Sequence, residues 1–96
     1  MSYLWYLAQS EKDGYDTYDS CVVCAPSKEE AVKYTPEGYN WDEDEKYWRY
    51  PWGTNDKVDT RYMSWASYLD NIECTYLGVA DGKLPLGIVI ASFNAG

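Results

Sequence analysis

Residues 14–25, GYDTYDSCVVCA, place two tyrosines, two aspartates and two cysteines within twelve positions. Such a set suits a thiol pair for redox or metal work, a carboxylate pair for acid–base work, or a polar loop running into a strand. Cys21-Val-Val-Cys24 has the spacing of a redox or metal motif. A redox pair opens a helix, which lowers the thiol pKa, whereas Val22 and Val23 favour a strand. On a strand, positions three apart face opposite sides, so the sulfurs do not converge. The chain has three cysteines, Cys21, Cys24 and Cys74, and no histidine, so nothing completes a four-ligand zinc set. The expectation is structural thiols, no metal and no cofactor. Asp16 and Asp19 form a carboxylate pair only if a bend converges them and other residues add ligands. Their favoured role is to satisfy backbone groups as the chain enters the strand.

The second chemically loaded stretch is YNWDEDEKYWRYPWG, residues 39–53. Its acidic run Asp42-Glu43-Asp44-Glu45 lacks the alternating ligands and internal glycine of a helix–loop–helix calcium site. Two readings of the surrounding rings stay open. Trp41, Trp48 and Trp52 fill the core of a small domain, or they anchor a partner while the four acids steer and pair with it. Four tryptophans lie between positions 41 and 65, more than one helix on a small sheet readily hides, so some exposed ring surface is expected.

Charge distribution bears on the same question. Net charge is −8, and residues 11–45 hold eleven acidic side chains against three lysines, while acids and bases balance after position 45. Direct binding to a phosphate backbone is disfavoured, because it needs clustered Lys and Arg. An acidic face steers instead toward a basic protein surface, including one built to hold nucleic acid; acidity also serves plain solubility. Lack of histidine removes Ser-His-Asp triads and imidazole bases, and no phosphate loop or nucleophile elbow is present. An enzyme is the weakest reading.

The elements that must position these residues follow from pattern. The 96 residues suit a single domain. SYLWYLAQ (2–9) alternates as a strand, SEKDGYD turns at Asp13-Gly14, and TYDSCVVCA (17–25) is a second strand. In APSKEEAVKYTPEG, Ser27 and Glu30 form a capping box and Pro36 with Gly38 end a helix of about two turns. Tyr47–Tyr50 reads as a short strand stopped by Pro51, SWASYLDN as a helical turn capped by Ser64, and IECTYLGVA as a strand with one wetter face. GIVIASFNAG closes the chain as a strand apolar on both faces, hence central in its sheet. The predicted fold is α+β: a mainly antiparallel sheet of four or five strands with one main helix on one face. No apolar run is long enough to span a membrane, and the start lacks the features of an export leader. With an odd cysteine count, a reducing cytoplasm is expected.

Three blocks, GYDTYDSCVVCAPSKEEAV, YLGVAD and the terminal GIVIASFNAG, resemble a family of small uncharacterised proteins encoded by phages and prophages. The resemblance implies phage origin and a cytoplasmic setting in an infected bacterium, with residues 39–65 as the variable part; it supplies no catalytic or binding residues. Small acidic phage proteins often bind and block host proteins, so the resemblance suggests an anti-defence inhibitor, for example an anti-CRISPR protein, covering a basic nucleic-acid-binding site. The expected contacts are Trp41, Asp42, Glu43, Asp44, Glu45, Trp48 and Trp52, with Asp16 and Asp19 secondary. The alternative is a Trp/Tyr-lined pocket that binds a nucleotide or sugar, with Lys46, Arg49, Lys57 and Arg61 available for phosphate. The aromatic surfaces equally suit burial in a homodimer.

Overall fold

The computed structural model describes residues 1–94. Ala95 and Gly96, which end the block used in the sequence resemblance, lie outside the described residues. Strand β1 (Tyr3–Gln9) turns back into β2 (Thr17–Ala25) through a loop in which Gly14 takes φ +95°, a conformation that glycine adopts without a Cβ penalty. The two pair antiparallel with Leu7 opposite Cys21 and Trp5 opposite Val23. Strand β5 (Ile72–Val79) adds to the free side of β1, and β6 (Gly87–Asn94) to the free side of β2. The resulting four-stranded sheet has the order β5-β1-β2-β6. A second, two-stranded sheet pairs β3 (Asn40–Asp42) with β4 (Tyr47–Arg49).

Alternation along β1 and β2 sends Leu7, Cys21, Val23 and Ala25 to one face, where they are buried. The opposing layer is not a helix. Trp48, Val58, Met63, Trp65 and Ala66 close over this face from the segment between β2 and β5. Trp48 Nε1 donates to the Ala66 carbonyl at 3.1 Å, so the indole brings its own polar group into the core satisfied.

The α+β expectation is therefore corrected: the protein is mostly β, with two antiparallel sheets and, among the described residues, no main helix. The capping box does form, with Ser27 Oγ accepting from the Glu30 amide at 3.2 Å, but α1 spans only Lys28–Ala31 and Val32 already caps it. Short helices are marginal unless packing supports them, and here Ala31 is the one buried residue of α1. Pro36 also biases Thr35 away from helical geometry. Two further single turns are 3₁₀, Thr60–Tyr62 and Leu69–Asn71; the second is preceded by Tyr68, not by the expected cap Ser64. The placement of β6 is corrected as well. It is an edge strand, and β1 and β2 are central. Among the described residues no helix is long and apolar enough to cross a membrane.

Candidate functional site

The β3–β4 hairpin carries most of the chemically loaded residues. Its register sets Trp41 opposite Trp48 and Asp42 opposite Tyr47. Period-two alternation then splits the hairpin. Trp48 is 1% exposed and Trp41 packs half-buried beside it, ring centroids 5.0 Å apart at 70°. On the other side, Asp42, Tyr47 and Arg49 form an outward cluster. Arg49 Nε donates to Asp42 Oδ2 at 2.7 Å and Arg49 also donates to the Tyr47 hydroxyl. The Arg49 guanidinium lies 4.6 Å from the Tyr47 ring centroid, and Lys57 Nζ lies 4.9 Å from it.

The acidic run makes the hairpin turn. Asp42 Oδ1 accepts from the Asp44 and Glu45 amides, each at 3.0 Å, and the Asp42 carbonyl accepts from the Lys46 amide at 2.8 Å. Lys46 closes the turn at φ +61°. Much of the charge is compensated at once. Hydrogen bonds from Arg49, then from Glu45 and Asp44, hold the Asp42 carboxyl below its ordinary pKa. Glu43 bonds Lys46 at 2.9 Å and Lys33 at 3.2 Å, which lowers its pKa too. Asp44 and Glu45 stand exposed at the tip.

At the base of the same hairpin lies a ring cluster. Tyr50 and Trp52 stack at 5.2 Å and 26°, and Tyr39 meets Tyr50 edge-on at 5.4 Å. Trp52 is 62% exposed. Burial, with the adjacent Glu37 charge and hydrogen bond, pushes the Tyr39 phenol up to about 12. The expected anchors thus divide: Trp52 is at the surface, Trp41 is half-buried, and Trp48 is corrected from contact residue to core residue, because strand alternation turns it onto the large sheet.

Asp16 and Asp19 belong to the large sheet and its loop, not to the hairpin. Asp16 is exposed at φ +59°, with its amide bonded to the Asn94 carbonyl. Asp19 is the exposed extra residue where β2 slips by one against β6. The loop before them is organised by buried Gln9, whose side chain bonds the Lys12 amide and carbonyl and the Tyr18 carbonyl. The cysteines follow the strand geometry. Cys21 lies opposite Leu7 in the core, while Cys24 lies opposite Leu4 with its Sγ 3.9 Å from the Leu84 carbonyl. Burial, with the Cys74 charge adding, pushes the Cys21 thiol up to about 12. All three cysteines are free thiols.

A cleft of about 570 Å³ lies between the hairpin tip and residues 57–68, and no tryptophan is among its lining residues. Lys46, Tyr47, Lys57 and Tyr68 line it together with Glu45 and Asp59. Arg61 holds Asp59 down to about 2 through a side-chain ion pair of 2.7 Å and a backbone bond. Lys46 and Lys57 are legible in the sequence as candidate phosphate ligands; Tyr68 enters only because the chain returns past the hairpin. No family model, curated protein or solved structure matches the chain.

Proposed function

We propose that this protein works by binding: its β3–β4 hairpin occupies a basic surface on another protein. The observation that carries this reading is the arrangement of one braced hairpin with exposed Asp44 and Glu45 at the tip and the Trp52–Tyr50–Tyr39 cluster at the base. A three-residue strand separates the two ends by about 10 Å. Acids of that kind steer and pair with Lys or Arg, and an exposed indole on a preformed stack anchors at low entropic cost. The Asp42–Arg49 pair and the asparate-capped turn hold the tip in place before contact, which spares part of the ordering cost of association.

The resemblance to phage-encoded proteins directs the search for the partner to bacterial host proteins in the cytoplasm. Defence enzymes with basic nucleic-acid channels are the leading class, and occupying such a channel inhibits without catalysis. Affinity capture from bacterial lysate tests the proposal with the wild-type chain, a Glu43→Lys/Asp44→Lys/Glu45→Lys variant and Trp52→Ala. The expected result is a nucleic-acid-handling partner that both variants lose. Recovery of every partner by both variants defeats it.

The cleft favours a second reading, a small anionic ligand such as a nucleotide. Lys46, Lys57, Tyr47 and Tyr68 line a volume within the usual range for ligand sites, although the Lys46 ammonium is already bonded to Glu43. Glu45 and Asp59 on the same wall weigh against a highly charged phosphate chain. Thermal-shift screening against nucleotides separates the readings, because a ligand that binds the native state raises Tm. A shift abolished by Lys46→Ala/Lys57→Ala favours the cleft.

A further inference from the structure

The composition of β6 and its position disagree. Gly87–Asn94 reads GIVIASFN, with no charged residue and no proline. Ile88, Val89, Ile90 and Phe93 are all exposed, Ile90 at 66% and Phe93 at 48%. Such a segment suits the interior of a sheet, yet β2 is its one strand neighbour among the described residues. The backbone on its other side therefore offers a row of N–H and C=O groups to solvent. Natural edge strands are normally blunted by charge, proline or a bulge. The opposite edge, β5, carries exposed Glu73 and a register shift against β1. In β6 the protection is one extra residue at Val89; beyond it Ile90–Ser92 pairs in register, and the second slip, opposite Ser92 and Phe93, puts its extra residue, Asp19, on β2.

We propose that β6 pairs antiparallel with β6 of a second copy of this chain, making a continuous eight-stranded sheet across a two-fold axis. Charge selects this occupant. A basic partner is drawn to carboxylates, and β6 has none. Two copies at −8 each repel wherever their acids meet, so they approach best along an edge free of charge. A two-fold axis also matches the strand to itself, uncharged row against uncharged row. An eight-residue strand is about 27 Å long. With its flanking side chains it covers on the order of 600 Å² per copy, the lower end of the roughly 600–1,000 Å² per partner of stable interfaces. The pairing turns β6 into the central strand that its sequence describes. It leaves the hairpin tip and the cleft to their own partners, so it stands or falls independently of the function proposed above.

Sedimentation velocity on the full chain over a concentration series tests the pairing, alongside amide hydrogen exchange at low and high concentration. The expected result is a monomer–dimer equilibrium that tightens as salt screens the net charge, with β6 amides gaining protection in the dimer. Ile90→Lys and, separately, Phe93→Lys shift the equilibrium at least tenfold toward monomer; both sites are exposed, and circular dichroism confirms that the fold is kept. Tyr6→Glu, on the open face of central strand β1, leaves the equilibrium unchanged. A wild-type chain that is monomeric at every concentration overturns the proposal. So does a dimer indifferent to both lysine substitutions, or one broken by Tyr6→Glu while the β6 amides stay unprotected.

Discussion

Arg49 and Asp42, seven residues apart in the chain, meet at 2.7 Å across the β3–β4 hairpin. Asp42 uses its other oxygen to cap the turn, so a single carboxylate ties tip to strand. Removing it leaves two turn amides and the Arg49 Nε without their acceptor, while the rest of the guanidinium keeps the Asn55 carbonyl and the Tyr47 hydroxyl.

Asp42→Ala is expected to lower Tm by a few degrees and to loosen the tip, seen as faster amide exchange at Asp44 and Glu45. The native pKa of Asp42 is depressed from 3.8, chiefly by Arg49. Its stabilising contribution is therefore complete above the unfolded value and is lost as pH falls through the lower native value. The wild type and Asp42→Ala should converge in Tm as pH drops below about 4. A constant gap down to strong acid contradicts the assignment.

Trp48 and Trp65 are both core indoles with different polar fates. Trp48 Nε1 has the Ala66 carbonyl, whereas Trp65 Nε1 has no hydrogen-bond partner among the described residues. Trp48→Phe strands a buried carbonyl, at a cost of roughly 1–3 kcal/mol beyond lost contacts. Trp65→Phe removes an unpaired donor and recovers part of what its smaller ring forfeits. Urea unfolding should rank Trp48→Phe as the more destabilising. Trp48→Ala, at about 3–5 kcal/mol, should leave little of a small domain's stability.

Glu37 runs against the other shifted carboxylates. Burial raises its pKa above 4.5, although Ser64 and Tyr39 bond the carboxylate. A raised native pKa favours the protonated form, so the contribution is full below the unfolded value and declines as pH rises through the native one. Glu37→Gln keeps an acceptor for the Ser64 amide without the buried charge. It should raise Tm at pH 7 and change little at pH 4, read by calorimetry at both values.

Thiol labelling reports the sheet directly. Cys74 is partly exposed at the end of the core, whereas Cys21 and Cys24 are buried. Burial raises the Cys74 pKa as well, with the Lys28 charge opposing it and the Glu29 charge adding to it, so its labelling is slow but accessible. A maleimide reagent on the native protein should add once, at Cys74, and three times after denaturation. Equal native labelling of Cys21 would contradict the packing of β2 on the hairpin layer.

The locally encoded parts of the fold are legible in the sequence. Alternation in residues 2–9 and 17–25 and the Asp-Gly break between them describe β1, β2 and their antiparallel pairing. Ser27 and Glu30 mark where α1 begins, and the Val-Val spacer places Cys21 and Cys24 on opposite faces. Each depends on neighbours a few residues apart, where steric preference and capping act without the rest of the chain. Tertiary structure decided the remainder. Trp48 and Trp65 replace a helix as the cover of the large sheet, the cleft beneath the hairpin tip exists because residues 57–68 return past it, and β6 lies at an edge despite its apolar faces. Periodicity states which side chains share a face, but burial and strand order are set by which distant segments compete to cover that face, and that competition leaves no local mark.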